Sequence, residues 1–394
     1  MAFVVGVVSF LAYVAMVLYG LLFLLGRFFR REQYKLLYYP TEHNAREVHP
    51  TPGDFRIPSS MWEPIEVPTP DGPVLRGYHL FPEPPTGGHP RAAFTGAGRS
   101  LADDHEGAAS AAPSGGGGAT AVPIGGGFVS AAPAAQCTLL YFHGNAGNVS
   151  HRLPLAWAFM HGLRDFKLHV VMIDYRGYGQ SDDAEVNEQG LKQDAQAALD
   201  WTLRHIRSER LFVMGTSLGA AVSIDLVAKP ANAAVVNGLI VENTFTSISD
   251  MADALFAPMI RRKFADRRGP ALVALLNYLV KPAFMAIGWF SIDAVRRVKV
   301  PTLFVSSQRD EIVPPPQMRA LFRAWGTRNG TPLRGEAGED GAGLPFKRIV
   351  ELPNGTHNDA FTQPGYGEAL HGFVREVTRR EGLAAAPGII LGTA

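Results

Sequence analysis

The chain has 394 residues, with 37 Lys and Arg against 36 Asp and Glu, and no basic stripe interleaved with aromatics, so no nucleic-acid partner is expected. The single cysteine, Cys137, excludes an intrachain disulfide and fits a reducing compartment. No Cys/His cluster has ligand spacing, so neither a metal nor an organic cofactor is expected.

In chain order, Ala2 to Gly26 comes first and carries no charge. It is long enough to span a bilayer, exceeds the apolar core of a signal peptide and lacks a small-x-small cleavage site near its end, which predicts a retained anchor. Arg27, Arg30, Arg31 and Lys35 come directly after the span and no Lys or Arg precedes it, so the positive-inside rule puts the large C-terminal portion of the chain in the cytosol. Residues 1–35 are read as anchor and basic flank.

Strands are predicted near Ile65–Val67 and Val74–Leu80, joined by the turn signal Pro70-Asp71-Gly72 as an antiparallel hairpin. From Glu83 to Gln136 the composition turns to Gly, Ala and Pro, and a disordered insert is expected at 83–136 because such a segment buries too little apolar surface to offset its ordering. Cys137–Phe142 reads as the third strand, and His143-Gly144-Asn145-Ala146-Gly147-Asn148 comes next. Two glycines there would let a backbone N–H, that of Asn145, approach a substrate oxygen, with His143 supporting the loop and the role of Asn148, a candidate to tie it down, left open.

Leu168 to Asp174 forms the next strand, and the Gly-rich run to Ser181 succeeds it. Asp174 is read as bonding its own loop. The run Leu211-Phe212-Val213-Met214 leads into Gly215-Thr216-Ser217-Leu218-Gly219, and the apolar Ala220 to Ile224 continues beyond. A strand that reverses sharply into a helix there presents the Ser217 hydroxyl and sets the Leu218 N–H beside a developing oxyanion. A serine needs a base and an orienting acid, which in an elbow of this kind come later in the order acid, then histidine. Asp310 comes just past the strand Thr302–Ser306, and His357 lies in the turn-rich loop after the strand Arg348–Leu352. Asp174 competes as the acid only if that order is ignored.

Helical composition at Ala195–His205 and Leu218–Ala228 alternates with these strands, which predicts an α/β fold: a mostly parallel sheet with helices on both faces, over residues 60–385. The segment 246–298, too long for a simple crossover, is expected to be a helical cap with apolar lining, the plainer reading being a core helix plus connector. Arg261, Arg262, Lys263, Arg267 and Arg268 form a basic cluster that would face anionic headgroups or simply solvent. A second insert is expected at 326–344 and a tail at 386–394. Sequons begin at Asn148, Asn329 and Asn354; glycans at 148 and 354 would crowd the site, which again favours the cytosol.

The segments Tyr141–Asn148, Asp174–Ser181, Gly215–Gly219, Val241-Glu242-Asn243-Thr244-Phe245, Asp310–Pro315 and Gly355–Asp359 together resemble the membrane-anchored α/β-hydrolase domain-containing protein family, most closely domain-containing protein 13 and its bud-emergence-type relatives. The resemblance spans most of residues 1–385 outside the two inserts. It implies an α/β-hydrolase fold, an N-terminal transmembrane helix and a Ser217, Asp310, His357 triad. Relatives are often described with a lumenal domain, the alternative to the cytosolic placement. The expected activity is a serine hydrolase acting on an ester or thioester of a lipid or acylated protein; a peptidase on the same triad and a non-catalytic membrane-tethered scaffold are the alternatives.

Overall fold

The computed structural model describes residues 2–28, 30–42, 46–82, 135–263, 268–281, 288–328, 331–332 and 345–381. Most of the inserts expected at 83–136 and 326–344, the sequon residue Asn329, Arg267 of the basic cluster and the tail 386–394 lie outside these residues.

Helix α1 (Ala2–Phe28) runs unbroken because its sequence holds no proline and is dominated by Leu, Val and Phe. Its span Gly6–Phe28, unburied over its most apolar stretch, is, among the described residues, the one helix long and apolar enough to cross a membrane. The short α2 (Arg30–Leu37) comes after it.

Strands β1 (Trp62–Pro68) and β2 (Val74–Leu80) pair antiparallel as expected. Their turn needs Gly72 at φ 118°, a backbone region that side chains rarely adopt. Strands β3 (Ala135–Phe142), β4 (Leu168–Ile173), β5 (Ser208–Thr216), β6 (Gly238–Glu242), β7 (Thr302–Ser307) and β8 (Lys347–Leu352) complete one eight-stranded sheet in the order β1-β2-β4-β3-β5-β6-β7-β8, with β3 to β8 mutually parallel. β4, β6 and β7 are buried along their whole length, the mark of strands covered on both faces.

Helices α4 (Glu188–His205), α5 (Leu218–Val227) and α8 (Pro315–Ala324) cover one face, where Leu191, Leu199, Ile224 and Leu321 pack with Val213, Val241 and Phe304. Helices α3 (Leu153–Gly162) and α9 (Tyr366–Glu381) cover the other, where Phe159 and Phe373 pack with Tyr141, Met172 and Phe212. Each fully buried Leu, Val or Phe contributes about 1.5–3 kcal/mol, so the two faces are the main source of stability. Between β6 and β7 the chain forms α6 (Ile248–Lys263) and α7 (Arg268–Leu275), which carry the segment expected as a cap.

Two boundaries differ from expectation. β3 starts at Ala135, inside the range given to the first insert, because Ala135 already pairs with Ser208. Within the second insert's range, Thr327–Arg328 pairs antiparallel with Thr331–Pro332, after Gly326 at φ 64° reverses the chain past α8. β2 runs against β4, so Leu80 pairs with Val170 near the N-terminal end of the parallel strands, the same margin at which β3 begins. The chain thus leaves for and returns from residues 83–134 at the margin opposite the strand C-termini.

Candidate active site

The C-terminal ends of β3, β5, β7 and β8 carry every residue singled out for chemistry. β4 and β5 flank β3, so the chain changes direction across the sheet between β3 and β5, the position where open α/β sheets form their crevice. Ser217 lies just past β5, and the 143–148 loop just past β3.

Ser217 holds φ 55°, ψ −119°, a strained backbone for a residue with a Cβ, and is half-buried directly before α5. The flanking glycines make this turn possible: a Cβ on Gly215 would overlap the Gly219 carbonyl oxygen, and one on Gly219 would overlap that of Phe142. The Ser217 N–H donates to the Glu242 carbonyl at 2.9 Å, and Thr244 Oγ1 donates to the Ser217 carbonyl at 2.7 Å. Leu218, first residue of α5, puts its N–H at a helix N-terminus.

Asp310 and His357 meet directly. His357 Nδ1 lies 2.9 Å from Oδ1 and 2.8 Å from Oδ2 of Asp310, and both residues are buried. Asp310 Oδ1 also accepts from the N–H groups of Ile312 and Val313, at 2.9 and 2.8 Å, which orients the carboxylate. An Nδ1–H given to a carboxylate leaves Nε2 as the basic nitrogen. Among the described residues Ser217 Oγ makes no hydrogen bond to His357. The elbow and the histidine loop are tied instead through the turn after β6.

That turn was named in the sequence only within a resembling segment, and its role was missed. Asn243, buried and at φ 46°, donates through Nδ2 to the carbonyls of His357 (3.2 Å) and Thr356 (3.4 Å) and to Ser307 Oγ (3.0 Å), while its Oδ1 accepts from the Ser307 N–H (2.8 Å). Thr244 holds Ser217 from the same turn. The available signal was a run of polar residues just past an apolar parallel strand. Glu242 is buried beside them; Tyr366 donates to its Oε2 at 2.8 Å and burial raises its pKa.

Gly144 packs beside the elbow: a Cβ built on it would stand 3.6 Å from Ser217 Cβ. His143 supports the loop as expected, its Nδ1 donating to the Gly144 carbonyl at 2.7 Å, and burial drives its pKa down to about 3, so it is neutral. Asp174 bonds the loops around it, Oδ1 accepting from the Val149 N–H at 2.8 Å and Oδ2 from the Gln180 N–H at 3.2 Å. Burial raises its pKa to about 7. Asn148 ties the loop down through Oδ1, which accepts from the His151 N–H, and Nδ2, which donates to the Val48 carbonyl. It is wholly buried, so a glycan on it is incompatible with the folded chain in any compartment, and its sequon carries no information on topology.

Ser247 caps the helical segment after β6, its Oγ accepting from the Asp250 N–H at 3.0 Å, and Thr246 Oγ1 donates to Asp250 Oδ2 at 2.7 Å. α6 and α7 enclose a mainly apolar hollow of about 270 Å³, lined by Ala252, Asp253, Ile260, Val273, Leu276, Asn277 and Lys281, with an ion pair between Lys281 and Asp253.

A serine on a strained elbow at the crevice of a doubly covered parallel sheet, with a histidine–carboxylate pair on later strands, defines the class: the chain belongs to the alpha/beta hydrolase family, whose model matches residues 139–366. Within it, the chain is 37% identical over 247 residues to protein bem46 of Schizosaccharomyces pombe, covering 62% of this chain and 69% of that one. It is 30% identical over 192 residues to the lysophosphatidylserine lipase ABHD12 of Danio rerio, across 45% of this chain and 44% of the lipase. Among solved structures, the Pyrococcus furiosus esterase Pf2001 superposes with a TM-score of 0.52 at 14% identity over 87% of this chain and 98% of its own, which bears on the fold alone.

Proposed function

We propose that this chain is a membrane-anchored serine hydrolase that cleaves an ester or thioester of a lipid or acylated protein through an acyl-enzyme. Ser217 Oγ attacks the carbonyl carbon while His357 Nε2 takes its proton, and Asp310 holds the imidazole in the right tautomer and stabilises the imidazolium. The N–H groups of Leu218 and Asn145 receive the oxyanion. Collapse of the tetrahedral adduct expels the alcohol or thiol, which takes the proton from His357. Water then attacks the acyl-enzyme by the reverse proton path and releases the acid.

The observation that carries this reading is the His357–Asp310 contact at 2.8–2.9 Å, on the same sheet margin as Ser217 at φ 55°. The lipase relative supports a lipid ester. The α1 span supports an anchor, and the cations Arg27, Arg30, Arg31 and Lys35 after it support a cytosolic catalytic domain.

The test is covalent labelling of membranes holding the parent chain or Ser217→Ala with a fluorophosphonate probe, with an ester, thioester and amide panel as the second stage. Labelling of the parent alone supports the activated serine. Equal labelling of both, or turnover retained by Ser217→Ala, overturns it.

A further inference from the structure

We infer that Leu37–Tyr39, at the end of α2 and just past it, are positioning residues of the active site: they hold the loop that offers the Asn145 N–H, so the membrane anchor and the oxyanion hole form one mechanical unit. This rests on the serine-hydrolase reading above.

Past Leu37 the chain lies against the 143–148 loop, and Tyr39 forms a parallel bridge with Ala146. The Asn145 side chain fills the place of a strand partner. Its Nδ2 donates to the Leu37 carbonyl at 2.5 Å, and its Oδ1 accepts from the Tyr39 N–H at 3.4 Å and the Tyr178 hydroxyl at 3.0 Å. The residue offering its backbone N–H to the oxyanion is therefore gripped, through its side chain, by the residues next to the anchor.

The grip is itself fixed. Tyr38 is 3% exposed and sits in the main core, where Tyr34 and Leu37 pack as well. Trp289, 2% exposed, donates its indole N–H to Tyr38 Oη at 2.8 Å across 251 positions of sequence. The backbone N–H groups of Gly288 and Trp289 both donate to Glu188 Oε2 at 3.1 Å, at the start of α4. Trp289 holds φ 43°, a strained conformation maintained by these contacts. The post-anchor segment is thus bonded to the oxyanion loop on one side and to the chain returning from the cap on the other. Oxyanion donors act only when aimed at the position of the charge, so slack in this grip lowers the rate of attack more than the binding of substrate.

The experiment uses the full chain in detergent micelles and measures the rate of fluorophosphonate labelling, with the final labelled fraction counting folded sites. Asn145→Ala removes the grip and keeps the backbone N–H; Tyr38→Ala keeps the Leu37 and Tyr39 backbone groups but takes away the ring that anchors them in the core, and so loosens the grip from outside the loop. In both, the maximal labelling rate constant should fall at least tenfold per labelled site, with the half-saturating probe concentration within twofold of the parent. Asn145→Asp keeps the acceptor for Tyr178 and Tyr39 but sets a carboxylate oxygen against the Leu37 carbonyl, so it should stay as slow as the alanine variant. The double variant should lose no more than the worse single one, because both changes loosen one contact. A parental rate per site in both single variants, with only the labelled fraction reduced, overturns the inference and leaves the serine-hydrolase reading intact. No Ser217-dependent labelling of the parent overturns both.

Discussion

The side-chain amide of Asn243 donates to the main-chain carbonyl of His357 at 3.2 Å, and the same residue's Oδ1 accepts the Ser307 N–H at 2.8 Å. One buried amide thus locks the histidine loop to the end of β7, three positions before Asp310 in sequence. The turn that bears it also holds Ser217 through Thr244. Asn243→Ala strands a buried N–H, at about 1–3 kcal/mol, and places a Cβ residue with no local hydrogen bonding at φ 46°. The variant should melt several degrees lower and label more slowly per folded site. Asn243→Gly relieves the backbone alone, so it should melt higher than the alanine variant and be just as slow.

Gly219→Ala drives a Cβ into the Phe142 carbonyl oxygen, a backbone atom of the neighbouring strand that has no room to move. The elbow and β3 must part, so a loss of about 3 kcal/mol or more is expected, with labelling of Ser217 abolished. Gly162→Ala, on α3 with nothing within 4 Å of the new Cβ, is the control and should label like the parent.

Asp310→Asn keeps the shape of the carboxyl group but lets the histidine take the wrong tautomer. Turnover of a responsive ester should drop about 10³- to 10⁴-fold with little change in melting temperature. A drop below tenfold would separate Asp310 from the reaction.

The buried pair His79 and His169 predicts an acid-sensitive stability. His79 Nε2 and His169 Nδ1 lie 2.9 Å apart, and His79 Nδ1 is 2.9 Å from Glu63 Oε1. Burial drives the His169 pKa down from 6.5 to about 3, and lowers that of His79. Between these pH values the unfolded chain binds the proton and the folded chain does not, so stability present above pH 6.5 is lost as pH falls toward 3. The slope approaches about 1.4 kcal/mol per pH unit for His169. Asp174, raised to about 7, contributes in the opposite sense, its stabilisation being full below its usual 3.8 and lost as pH rises through 7. Denaturant titrations of the parent and His169→Asn across pH 4–7 isolate the histidine term: the variant should show the shallower acid loss, and equal slopes would overturn the prediction.

The strands, their order along the chain and the loops bearing Ser217, Asp310 and His357 were legible because each depends on a local pattern: an apolar run, a small-residue turn, a polar loop past a strand end. The post-anchor grip and the Asn243 lock were not. Leu37 meets Asn145 across 108 positions, Tyr38 meets Trp289 across 251, and Asn243 meets His357 across 114, and no short-range periodicity records such pairings. Asn148 misled for the same reason: its sequon is a local pattern, while its burial is a tertiary fact.

The chain departs for residues 83–134 and returns from them at the sheet margin away from the strand C-termini, and β8 is likewise reached at its N-terminal end after residues 333–344. The molecule therefore has one margin committed to chemistry and another open to sequence experiment. Length gained or lost at the second margin leaves the elbow, the acid and the base in register, since each is set by strands whose opposite ends stay paired. That makes the 83–134 segment the natural place to graft an epitope or fluorophore.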